Sequence, residues 1–135
     1  MILYTKYSIV LNKVKEDGKT VIADLPATFK VNGKEKNTDK GILTIENNRT
    51  IANANQSDTY EIAETKAPDG YKAFNGTMKL NVKFKQSGKS FIIDKDKTTA
   101  QGFTNGARVE VSPENAKITI YVPNTQKVFD LSLRK

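Results

Sequence analysis

Three polar residues occupy positions where a β-strand would be expected to turn an apolar side chain inward: Lys13, Glu64 and Asn124. In YSIVLNKV (7–14), Ile9, Leu11 and Lys13 share one face of a period-two alternation. In TYEIAE (59–64), Tyr60 and Ile62 lead to Glu64; in KITIYVPN (117–124), Ile118, Ile120 and Val122 lead to Asn124. Each has an ordinary reading taken alone. Strand ends leave the core, so a lysine can lie along the surface. A glutamate there can pair with an exposed lysine for little gain, and an asparagine after Pro123 can serve a turn.

Taken together, an amine, a carboxylic acid and a carboxamide can do chemistry. A buried ammonium loses hydration, so its pKa falls towards that of a free amine, which is a nucleophile. A buried carboxyl group tends to keep its proton and can donate it. Such a carboxyl, set between the other two groups, polarises the amide carbonyl and relays a proton to departing ammonia. The product is an isopeptide bond between Lys13 and Asn124. Confinement in a folded core makes the step effectively unimolecular. Asn105 and Asn115 are other late asparagines, but neither continues a long apolar row.

Composition narrows the remaining chemistry. The 135 residues fit one domain with one modest core, and 37% hydrophobic with 27% charged residues is a globular balance. There is no Cys and no His, which excludes disulfides, thiolate chemistry and Ser-His-Asp or Cys-His machinery. No cofactor or metal is expected. DKDK at 94–97 lacks the glycine and terminal glutamate of a calcium loop and reads as a turn. The net charge of +7 comes from lysines scattered over nearly every segment, with only three arginines. This describes a solvated surface, with no nucleic-acid partner expected. No apolar run is long enough for membrane insertion.

The elements that must position the three groups are strands. Alternation recurs at 7–14, 27–31, 42–46, 59–64, 78–84, 90–94, 107–111, 117–122 and 128–133, and no stretch carries a useful helical repeat. Five of the eight glycines follow Asn or Asp, the pairs that favour short hairpin turns. Short strands at intervals of about ten residues predict an all-β antiparallel sandwich. The polar stretches 34–41 and 47–57 read as long surface loops.

The segments LNKVKEDGK (11–19), AETKAPDGY (63–71) and ITIYVPNT (118–125) together resemble the B-type repeat (Cna B-type) domains of Gram-positive collagen-binding adhesins. They also resemble the SpaA-like, prealbumin-like modules of pilin shaft and tip proteins. The resemblance runs over about residues 5–127. It differs from many members at Asp58-Thr59-Tyr60 and at Pro26-Ala27-Thr28-Phe29, neither of which is expected to touch the three polar groups. It implies an Ig-like (reverse Ig-type) sandwich in which Lys13 and Asn124 are bond partners and Glu64 is the catalytic proton shuttle. It further implies a stalk or shaft module on the bacterial cell surface, extracellular and wall-anchored through other parts of a longer protein. Such a module is not a turnover enzyme: it reacts once, on itself.

The ends add one expectation. YSIVLNK (7–13) and FDLSLRK (129–135) align without gaps, which makes 128–135 a linker or the first strand of a following repeat. Lys135 would then stand where Lys13 stands. The expected partners are neighbouring repeat domains of the same polypeptide. The alternative is a ligand-binding adhesin module that contacts host extracellular matrix or glycan through its long loops.

Overall fold

The alternation becomes twelve strands in a computed structural model that describes residues 3–51 and 55–127. The strand expected at 128–133 and Lys135 lie outside the described residues. One sheet holds four strands in the order β10 (Arg108–Ser112), β11 (Lys117–Pro123), β1 (Leu3–Val14), β4 (Ile42–Ile51). The other runs β3 (Lys34–Asn37), β2 (Thr28–Val31), β5 (Ser57–Lys66), β7 (Met78–Ser87), β8 (Ser90–Ile93), with β9 (Thr99–Gln101) also on β7. A small ribbon pairs β6 (Tyr71–Lys72) with β12 (Thr125–Gln126).

The two sheets enclose the core. Tyr7, Ile9 and Leu11 of β1 and Ile118, Ile120 and Val122 of β11 meet Phe29, Ile62, Met78, Leu80, Val82 and Phe84 from the second sheet. Their alternation puts the apolar row inward and lysines and threonines outward, so burying that row drives the sandwich together.

Three expectations need correction. The sandwich is antiparallel except at one place: β1 and β11 run parallel, in register from Ser8↔Lys117 to Val14↔Pro123. Among the described residues the first long strand and the last therefore lie side by side, an arrangement that local hairpin signals do not encode. The stretches 34–41 and 47–57 are not simply loops. Lys34–Asn37 is an edge strand whose four residues are all exposed, and β4 continues to Ile51. Asn75-Gly76 sits in the irregular stretch between β6 and β7 rather than in a tight hairpin. By contrast, Asn32 (φ 50°) and Gly33 (φ 83°) form the left-handed pair that closes the β2–β3 hairpin. Asp94 makes 94–97 a turn by accepting from the backbone N–H groups of Asp96 and Lys97.

Away from Lys13, a second polar group bridges the sheets. The Tyr7 hydroxyl donates to Asp58 at 2.5 Å and lies 2.7 Å from the Tyr60 hydroxyl, and the Asn47 amide donates to Tyr7, Asp58 and Tyr60. The buried hydroxyls are thereby satisfied, which removes most of the cost of placing them inward.

Candidate functional site

Backbone contacts fix each of the three polar residues. The Lys13 N–H donates to the Gly41 carbonyl, and the Lys13 carbonyl accepts from Ile22. Parallel pairing sets Lys13 against Val122, so Asn124, two residues on, keeps the inward parity. The Asn124 N–H is tied to the Val14 carbonyl at 2.8 Å. Glu64 comes from the facing sheet, across from Phe29 on β2.

The side chains converge. Lys13 is 0% exposed, Asn124 1% and Glu64 7%, so none of them is an exposed strand end. The Lys13 Nζ lies 3.4 Å from Glu64 Oε1, and the Asn124 Nδ2 donates to the same oxygen at 2.9 Å. That oxygen also accepts from the Phe74 N–H at 2.6 Å. The Lys13 Nζ donates to the Val122 carbonyl at 2.6 Å and stands 5.8 Å from the centre of the Phe29 ring. The Asn124 Nδ2 makes a second bond, to the Lys72 carbonyl at 2.7 Å.

The electrostatics follow from the burial. Loss of hydration pushes the Lys13 ammonium down from 10.5 to about 8, against the opposing charge and hydrogen bond of Glu64. Two buried polar atoms have no hydrogen-bond partner among the described residues: Glu64 Oε2 and Asn124 Oδ1. An acceptor left unpaired in a core costs about 1–3 kcal/mol.

The site's close packing extends to a glycine. Gly41 has φ +83°, and a Cβ there would lie 2.6 Å from the Ile22 carbonyl oxygen. Because Gly41 also receives the Lys13 N–H, Gly41→Ala should displace the strand that carries the lysine. We expect a loss of about 2 kcal/mol or more, read as a lower melting temperature by calorimetry.

All three expected site residues are thus brought together by the fold. Phe29, expected not to touch the polar groups, instead pairs across from Glu64 with its ring near Lys13, while the backbone groups of Lys72 and Phe74 and the hydrogen-bonded cluster at Asp58 carried no expectation. Asp58 shares parity with Tyr60, Ile62 and Glu64, so the same inward-row signal marks it. Among the described residues, no acidic, His or Cys cluster could hold a metal ion, and no helix is long and apolar enough to cross a membrane.

No curated protein matches the chain. Among solved structures it is similar over 94% of its length to the pilus adhesin SpaC from Lactobacillus rhamnosus GG, at 18% identity and a TM-score of 0.53. It spans only 15% of that adhesin chain. The open conformation of SpaC gives 20% identity over 93% of this chain and 15% of that one, with a TM-score of 0.48. A C-terminal SpaC fragment gives 19% over 93% and 47%, with a TM-score of 0.48. The family model of the SpaA prealbumin-like fold domain matches residues 7–99, a span that holds Lys13 and Glu64 and ends before Asn124. The chain belongs to the SpaA prealbumin-like fold domain family.

Proposed function

We propose that this domain is a structural module of a bacterial surface adhesin or pilin that locks itself with an isopeptide bond between Lys13 and Asn124, Glu64 serving as proton shuttle. One observation carries this reading: an amine and a carboxamide, both buried, meet at a single carboxyl oxygen. A buried ion pair is costly, which favours moving the proton from ammonium to carboxylate. The amine then attacks Asn124 Cγ. Glu64, protonated at Oε2, supplies a donor for Oδ1 as charge develops there. The Nζ–Cγ bond forms. The carboxylate takes a proton from Nζ and passes it to Nδ2, the Cγ–Nδ2 bond breaks, and ammonia leaves. The proton held at Oδ1 returns, so Glu64 ends as the acid it was when the amine attacked, and atoms balance as amine plus carboxamide giving amide plus ammonia.

The position of the bond supports a mechanical role. Lys13 is near the end of β1 and Asn124 follows β11, its parallel neighbour. Tension entering along β1 would cross the bond and leave along β12, bypassing the residues between 13 and 124. A shaft domain exposed to shear gains most from such a shunt. The localisation follows as a proposal: extracellular, on the cell surface, between neighbouring domains of a longer chain.

Intact mass of the denatured protein tests this directly. We expect one ammonia less than the sequence mass, and a branched Lys13–Asn124 peptide on mapping. A mass equal to the sequence value would sink the bond.

A further inference from the structure

The reacting groups are held by a short segment outside the long strands, and we infer that Tyr71–Phe74 is a positioning latch with Phe74 as its anchor. This rests on the bond proposed above. Two bonds from this segment reach two different reactants. The Phe74 N–H holds Glu64 Oε1, and the Lys72 carbonyl holds Asn124 Nδ2, the nitrogen that must leave. Both bonds come from backbone groups, so their spacing sets the distance from carboxyl to carboxamide.

The segment is located from both ends. Upstream, the Pro68-Asp69-Gly70-Tyr71 turn closes with the Tyr71 N–H on the Pro68 carbonyl, Gly70 taking φ 88°. That turn aims β6 at β12, which begins just after Asn124, through Thr125↔Lys72 and Gln126↔Tyr71, and the Lys127 N–H adds a bond to the Gly70 carbonyl. Downstream, the Phe74 ring is buried in the core although its neighbours Ala73 and Asn75 are exposed. A lone buried ring in an exposed, non-strand stretch has no sheet to complete; it fixes the backbone on which it sits.

A cleft of about 240 Å³ reaches Asn124 between Glu16, Tyr71 and Gln126, and one of about 400 Å³ lies against Lys72, Phe74 and Pro123. Asn124 nevertheless stays 1% exposed. The two-residue ribbon separates the carboxamide from water, so its anchoring decides whether Asn124 presents Cγ to the amine or turns outward.

The test uses a chain that cannot react, Lys13→Met, which keeps the buried volume. In it the Asn124 side-chain amide protons should exchange slowly with solvent by NMR. Adding Phe74→Ala should speed that exchange at least about tenfold while the main-sheet amides stay protected. Adding Phe74→Leu should restore it. In the reactive chain Phe74→Ala should slow ammonia loss on refolding by about a hundredfold, with Leu again restoring most of the rate. Unchanged exchange and unchanged rate in Phe74→Ala would overturn the latch while leaving the bond intact. A full sequence mass in the wild type would overturn the bond and, with it, the latch's purpose.

Discussion

A Glu64→Gln chain should keep its full sequence mass and unfold far below the wild type. Glutamine retains the volume of glutamate and an oxygen for the Phe74 N–H, so the fold has what it needs locally. It has no acid proton to give Oδ1 and no carboxylate to collect the proton from Nζ, so the transfer from amine to leaving nitrogen has no carrier. Two losses then add. Without the bond, the unfolded chain regains the freedom of a closed loop of about a hundred residues, worth about 5 kcal/mol by analogy with disulfides. Lys13 also stays a free amine where the reacted chain has a neutral amide, and a charge buried there without a countercharge costs about 3–5 kcal/mol. Together they lower the melting temperature by about 30 °C for a domain of this size. Intact mass and scanning calorimetry check both parts. A Glu64→Gln chain that still lacks one ammonia would remove Glu64 from the chemistry, and a melting temperature within a few degrees of wild type would show that no lock had been lost.

The candidate site was more legible in the sequence than the framework that closes it. Lys13, Glu64 and Asn124 betray themselves because each extends an apolar row at period two, and a core tolerates an inward polar group only when something nearby satisfies it. The parallel pairing that makes Lys13 and Asn124 neighbours left no such mark, because pairing between residues 109 positions apart depends on the assembled core and not on any turn. The strand Lys34–Asn37 was hidden for a different reason: both its faces meet water, so nothing selects alternation. The second half of β4 was hidden by Asn47, which takes an inward position and is satisfied by Tyr7, Asp58 and Tyr60, interrupting the apolar row of Leu43, Ile45 and Ile51. The β6–β12 ribbon is two residues long on each side and carries no periodicity at all. The Pro68–Gly70 turn was readable as a turn, but its target, a strand more than fifty residues onward, was not.

The rate of ammonia loss should hold level as pH rises to about 8 and then fall about tenfold for each further unit. Burial pushes Lys13 down to about 8, with Glu64 opposing, and the sign of the kinetic effect depends on counting protons over the pair. The reactive form proposed above is amine with carboxylic acid. It contains the same number of protons as ammonium with carboxylate, so pH does not alter the ratio of these two forms while the pair holds its one shared proton. Above about 8 that proton is lost. What remains is a free amine beside a carboxylate, a nucleophile with no acid to protonate Oδ1. Were Glu64 instead a simple base that deprotonates the attacking nitrogen, amine with carboxylate would be the reactive form, and the rate would climb to about pH 8 and stay high. The equilibrium counterpart has the opposite slope. In an Asn124→Ala chain, which cannot react, the folded state binds fewer protons than the unfolded state between about 8 and 10.5, so stability should rise with pH across that window by about 3 kcal/mol. Refolding the chain from denaturant at each pH, quenching in acid and reading the ammonia deficit by mass gives the kinetic profile. Reactivity that falls above about 8, where stability rises, identifies Glu64 as the proton donor; reactivity that climbs to about 8 and then holds level would assign it the role of base and require a different donor for Oδ1.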